Sequence, residues 1–218
     1  MNKPFAVFDM DGTLVDSMVY WQRLGREYLT AQGVTEGMDE VLERIKPMTM
    51  AESSALFIET FGLPGTPESV MAEMNAVMDE HYRSDIPLKP GAADYLAALK
   101  KRGTKMCVAT ATPEPLARAC LERLGVLEDL EFLLSCDAVG AGKDRPDVFL
   151  EAARRLGAAP AETAVFEDAT FALQTAKDAG FYTVGVWDAS SDKRWDVMTA
   201  LADETVRDWA AAAEEIGF

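Results

Sequence analysis

Phe8-Asp9-Met10-Asp11-Gly12-Thr13-Leu14-Val15-Asp16-Ser17 sets two carboxylates two residues apart where a short apolar run stops. Three further stretches carry complementary groups: Thr110-Ala111-Thr112, the lysine of Gly140-Ala141-Gly142-Lys143, and the adjacent pair Glu167-Asp168. Taken singly, each has a plain structural use. An Asp-x-Asp at a strand end turns the chain or caps a helix, an acidic pair caps the helix that follows it, and a loop lysine is solvated. Taken together they are four carboxylates, two hydroxyls and one ammonium. Four acids in one cleft cannot all stay ionised and unpaired. A hard cation resolves the conflict. Magnesium prefers carboxylate and carbonyl oxygens, keeps waters, and is completed by a substrate phosphate; manganese suits the same oxygens. Lys143 and Thr110 then read as phosphate contacts, one a point charge and the other a hydroxyl donor.

These stretches meet only if the elements around them bring them together. Phe5–Phe8 reads as a short buried strand. After Pro90-Gly91 the chain alternates helices at 92–101, 114–124, 147–156 and 171–179 with apolar strands at 105–109, 131–134, 163–166 and 182–187. Continuously apolar strands alternating with helices predict a parallel sheet covered on both faces. Ligands of such sheets bind beyond the carboxyl ends of the strands, which is where the charged stretches fall. Between 16 and 86 every segment reads as helical, over 16–31, 37–46, 50–61 and 67–82, with breaks at Pro47, Gly62-Leu63-Pro64-Gly65 and Pro87. Asp16 or Ser17 can cap the first of these helices. The expected organisation is an α/β core from 1–15 and 87–218, with a helical domain, 16–86, inserted after the first strand. The methionines dense in that insertion read as adaptable core, and 209–218 as a last surface helix.

The chain has 218 residues, 49% of them apolar, so it can bury a substantial core. Its 37 acidic and 21 basic residues leave a formal net charge of −16. Such a surface repels nucleic acid and anionic membranes, and neither is expected as a partner. Cys107, Cys120 and Cys136 match no zinc or redox spacing and read as buried thiols. The first apolar run is too short for a leader, and no stretch is long enough to span a bilayer, so a cytoplasmic protein is expected. The expected partner is a small-molecule phosphate ester and the expected state a monomer or weak homodimer. His81, the single histidine, reads as a surface residue without a catalytic role.

Asp9-Met10-Asp11-Gly12-Thr13-Leu14-Val15-Asp16-Ser17 resembles the first motif of the haloacid dehalogenase superfamily, in its aspartate-nucleophile phosphotransferase branch. Val108-Ala109-Thr110-Ala111-Thr112 is similar to the second motif, Gly142-Lys143-Asp144-Arg145-Pro146-Asp147-Val148-Phe149 to the third, and Val165-Phe166-Glu167-Asp168-Ala169 to the fourth. The helical insertion resembles the cap of the subgroup that holds β-phosphoglucomutase and many sugar-phosphate phosphatases. The resemblance implies an α/β fold, a Rossmann-like, doubly wound parallel sheet with an inserted all-helical cap. It implies Asp9 as nucleophile, forming an aspartyl-phosphate, and Asp11 as general acid and base. It implies Mg2+ held by Asp9, the backbone carbonyl of Asp11, Glu167 and Asp168, and the phosphoryl group held by Thr110, Ala111 and Lys143. Gly12 would allow close backbone approach.

Two reactions fit that machinery. A mutase must grip a second phosphate, and in β-phosphoglucomutase the cap supplies a histidine and an arginine for the sugar phosphate. The corresponding positions here are Trp21 and Met50, so hydrolysis of a phosphate ester is the favoured reading and the mutase the alternative. A non-catalytic metal or phosphate binder is a second alternative, disfavoured because Asp9, Asp11 and Lys143 are all kept. Tyr20 and Trp21, early on the first cap helix, are candidates for selecting the leaving group. The chain departs from the family pattern at Asp144, where Pro is usual, and at Ala169 and Ala172, where Ser and Gly are usual. Asp144 is expected either to weaken phosphate binding or to pair with Arg145.

Overall fold

Phe5–Phe8 forms β1, the strand on which the first acidic stretch ends. The computed structural model describes residues 2–46 and 48–216, so the expected break at Pro47 lies outside the described residues. Four helices follow β1: α1 (Met18–Ala31), α2 (Met38–Ile45), α3 (Met50–Phe61) and α4 (Pro67–Ser84). The chain continues through α5 (Ala92–Lys101), β2 (Lys105–Thr110), α6 (Glu114–Arg123), β3 (Phe132–Ser135), α7 (Cys136–Val139) and α8 (Asp147–Leu156). It ends with β4 (Thr163–Glu167), α9 (Thr170–Asp178), β5 (Tyr182–Val186), α10 (Trp195–Leu201), β6 (Glu204–Val206) and α11 (Trp209–Glu215). Two compact units result, one of Met1–Ser17 with Ile86–Phe218 and the other of Met18–Asp85.

In the first unit all strands pair in parallel, in the order β3-β2-β1-β4-β5-β6. The order reverses beside β1, which places it between β2 and β4. Phe8 is in register with Val108 on one side and Phe166 on the other. One residue further along stand Asp9, Ala109 and Glu167, so the acidic stretches share one rim. Alternation along the strands fills two layers. Val7, Cys107, Ala109 and Val165 pack with Val148, Phe149 and Ala152 of α8 and Ala172 and Ala176 of α9. Phe8 and Phe166 point to the opposite face, stack at 4.3 Å, and meet Tyr95 of α5 and Trp209 of α11. Helices on both faces make the sheet a doubly wound, Rossmann-like one. All three cysteines are buried, and burial raises their thiol pKa values.

Three elements of this unit escape a sequence reading. The helix α7 has four residues and β6 three, too few to display a period. The helix α10 is short, at seven residues. The alanine-rich end is not a plain surface helix either: Trp209 and Ala213 of α11 are buried.

The second unit is all helix. Gly25 of α1 lets helices approach closely, since a Cβ there would lie 2.8 Å from Leu42 and 3.2 Å from Phe57. Capping boxes at Thr49 and Thr66 start α3 and α4. Of the methionines expected in the core, Met74 and Met78 of α4 are buried, Met38, Met50 and Met71 are half-buried, and Met48 is exposed at a position that takes no part in the core. His81 is more engaged than a surface residue: its ring bonds Glu27 of α1 at 3.0 Å and Asp85 at 2.9 Å. Among the described residues, no helix is long and apolar enough to cross a membrane.

Candidate active site

Asp9 leaves the carboxyl end of β1 with its side chain buried. Glu167 closes β4 and Asp168 follows it, both buried. One carboxylate oxygen from each of Asp9, Glu167 and Asp168 lies within 4.8 Å of the others. Lys143, from the loop between α7 and α8, points its ammonium into this group. It bonds Asp9 Oδ1, and Glu167 Oε1 at 2.6 Å. The Ala169 amide donates to Glu167 at 3.3 Å, and Thr13 Oγ1 donates to Asp168 at 3.4 Å.

Three carboxylates face one ammonium, and the electrostatics show the strain. Burial pushes the Asp9 carboxyl up to about 7; Lys143 opposes the rise, while Glu167 and Asp11 add to it. Burial also pushes Asp168 up to about 9, with Asp9, Glu167 and Asp188 contributing in the same direction. Burial alone would lower the Lys143 ammonium, but Asp9 and Glu167 hold it above its ordinary value. The donor set is entirely oxygen and carries an excess of negative charge. It fits a hard divalent cation, Mg2+ or Mn2+, and not a soft metal that would seek thiolate or imidazole.

The second aspartate has different company. Asp11 accepts a bond from Ser17 Oγ at 2.7 Å and another from Thr112 Oγ1 at 2.7 Å. Among the described residues, its carboxylate is not part of the cluster of Asp9, Glu167 and Asp168. Gly12 sits at φ 77°, a left-handed conformation that suits glycine. The amides of Thr13, Leu14 and Val15 all turn back to the carbonyl of Met10, and Gly12 donates to Val15. This knots residues 10–15 into a tight loop above β1.

Thr110 ends β2 fully buried, its hydroxyl accepting from the Thr112 amide at 3.0 Å. Thr112 therefore joins Thr110 to Asp11, a link that alternation and spacing do not reveal. Ala111, between them, is exposed. Ser17, a candidate helix cap, donates a hydrogen bond from its hydroxyl to Asp11. Asp144 is not the partner of Arg145 at hydrogen-bond distance among the described residues; Arg145 bonds Asp147 at 3.0 Å. In the helical unit, Trp21 Nε1 donates to Tyr82 at 3.2 Å, and Tyr20 donates to the Asp85 carbonyl at 3.3 Å.

A second buried ion pair lies on the same rim without a sequence signal. Lys89 Nζ bonds Asp188 at 2.6 Å and the Trp187 carbonyl at 3.1 Å. The Lys89 amide donates to the Leu14 carbonyl at 2.8 Å, and the Asp16 amide to Pro87 at 2.9 Å. The two segments by which the chain leaves and rejoins this unit are thus paired to each other.

Comparison with known proteins gives a consistent result. A family model described as haloacid dehalogenase-like hydrolase matches residues 5–180. The chain is 31% identical over 211 residues to the validoxylamine A 7'-phosphate phosphatase of Streptomyces hygroscopicus subsp. limoneus, covering 94% of this chain and 95% of that protein. It is 28% identical over 197 residues to the beta-phosphoglucomutase of Bacillus subtilis, covering 83% and 82%. A solved structure from Thermotoga maritima shares the fold with a TM-score of 0.84 at 24% identity, over 97% of this chain and 98% of that one.

Proposed function

This chain belongs to the haloacid dehalogenase-like hydrolase family as a phosphomonoester hydrolase, and we propose that it is a Mg2+-dependent phosphatase of a small monophosphate ester, acting through an aspartyl-phosphate. The observation that carries this reading is the Lys143 ammonium shared by Asp9 and Glu167 beside Asp168. Asp9 attacks phosphorus: its carboxylate oxygen bonds phosphorus as the bond to the ester oxygen breaks, and Asp11 gives that oxygen its proton. In the second step Asp11 takes a proton from water, the water oxygen bonds phosphorus, and Asp9 is released with inorganic phosphate. Ser17 and Thr112 orient Asp11 for both transfers. Lys143 and Thr110 hold the phosphoryl oxygens, since this transfer is achieved mostly by positioning and charge neutralisation. Asp9, Asp168, Glu167 and the Asp11 carbonyl would hold the cation, which when bound neutralises charge on the phosphoryl oxygens.

The helical unit supports a monophosphate over a bisphosphate. Of its cations Arg23, Arg26, Arg44, Lys46 and Arg83, three are paired, Arg26 with Asp39, Lys46 with Glu43 and Arg83 with Asp79, and by the family resemblance Trp21 and a position near Met50 correspond to the histidine and arginine of a mutase. Sugar phosphates and related cyclic metabolites are the substrate class we favour, with Tyr20 and Trp21 selecting the leaving group. The test is inorganic phosphate release from a panel of phosphate esters, with and without Mg2+, beside Asp9→Asn. Release that needs Mg2+ and vanishes in Asp9→Asn is expected. No release from any ester, with isomerised product formed in the presence of a bisphosphate primer, would establish the mutase instead.

A further inference from the structure

We propose that Trp209 is a positioning residue for the nucleophile loop, an assignment that rests on the phosphatase reading of Asp9. Trp209 opens α11, and its indole Nε1 donates to the carbonyl of Thr13 at 3.0 Å in a buried bond. The same peptide unit is held at its other end, where the Leu14 amide donates to Met10 at 2.9 Å. A peptide plane is rigid, so these two bonds together fix its orientation within the loop that follows Asp9. Thr13 also extends its hydroxyl to Asp168. One residue thus has its carbonyl on Trp209 and its side chain on a proposed metal ligand.

The ring of Trp209 reinforces the same place. Its centroid lies 6.3 Å from Phe8, 5.8 Å from Phe166 and 4.8 Å from Tyr95. Phe8 directly precedes Asp9 and Phe166 directly precedes Glu167-Asp168, and the Asp9 amide donates to the Phe166 carbonyl at 2.9 Å. The indole therefore packs under the two strand ends that deliver the carboxylates and clamps the loop that follows the first of them. The helix carrying it is seated closely: a Cβ on Gly91, at φ 84°, would lie 2.3 Å from the Ala210 amide nitrogen. Trp209 stands outside the 5–180 span that the family model matches. Removing the indole N–H leaves a buried carbonyl without its donor and frees the loop to shift.

The test is Trp209→Phe, which keeps an aromatic ring and loses the donor. For phosphate release with Mg2+, kcat is expected to fall roughly ten- to a hundredfold, as small misplacements of reacting groups do. KM should stay within about threefold, because ground-state binding is retained. Hydrogen exchange of the amides at 10–15 should accelerate while those of α8, on the opposite face of the sheet, keep their rates. A kcat within about twofold of wild type, or unchanged exchange at 10–15, overturns the proposal. Should the wild-type protein itself release no phosphate from any ester, the phosphatase reading fails, and loop exchange alone decides whether Trp209 braces the loop. If Trp209→Phe does not fold, the wild-type indole N–H decides, assigned by replacing Trp21, Trp187 and Trp195 with Phe. It should exchange in step with the Leu14 amide; exchange in step with α11 overturns the proposal.

Discussion

Replacing Lys143 with Met removes the ammonium that bonds both Asp9 and Glu167 and leaves two buried carboxylates without it. Breaking a buried pair by deleting one partner costs about 3 kcal/mol or more. The metal-free variant should therefore unfold at a clearly lower urea concentration, and phosphate release should drop by roughly a hundredfold or more, as when an oxyanion-stabilising group is lost. Equal urea midpoints for the two proteins would show that the cluster does not need its lysine. Trp21 makes a different prediction, because its indole is tied to Tyr82 in the helical unit. Trp21→Ala should reorder the preferred esters by about threefold or more while the Mg2+ dependence stays unchanged. A uniform loss across the panel would make Trp21 a packing residue. At this scale the acidic and cationic members of the site were legible, because each stretch has the residue types that phosphoryl transfer requires. Their hydroxyl partners were not: Ser17 and Thr112 look like any cap or turn residue until a fold places Asp11 between them.

Elements raise the question of what joins one helix to the next. In the helical unit His81 of α4 bridges Glu27 of α1 and Asp85. Burial works against its protonated form, but those two carboxylates outweigh it and hold the imidazole pKa above the ordinary 6.5. A histidine whose pKa is raised by folding adds stability that is fully present below its unfolded value and lost as pH rises through the folded one. The stabilisation by His81 is thus complete below about pH 6.5 and fades above it. His81→Gln should lower the unfolding temperature more at pH 6 than at pH 9. The same loss at both values would show that the bridge works through neutral hydrogen bonds alone. The helical and strand periods announced most elements here, whereas α7 and β6, with four and three residues, fall below the length at which a period can be read.

Over the whole molecule, net charge and the buried acidic cluster act together. A protein at −16 that gathers three buried carboxylates on one rim gives up stability until a cation arrives. A ligand that binds only the folded state stabilises it by mass action, about 2.7 kcal/mol at a hundredfold excess over Kd. Mg2+ should therefore raise the unfolding temperature, and chelation should reverse the gain. Asp168→Asn should abolish most of that shift while the metal-free protein stays folded. An equal Mg2+ shift in both proteins would remove Asp168 from the binding set.

The α/β class, the strands that carry charge at their carboxyl ends and the four chemically complementary stretches can all be read along the chain without its fold. These are local properties: hydrophobic period, punctuation by Gly and Pro, and residue type at fixed offsets. Which groups touch is a matter of packing. That Lys143 is shared by Asp9 and Glu167, and that Asp11 turns to Ser17 and Thr112, depends on β1 lying between β2 and β4. The extreme case is Trp209, 196 residues from the Thr13 carbonyl that its indole holds. No local pattern marks a single donor in an alanine-rich helix, because its partner is chosen by the packing of α11 on the sheet.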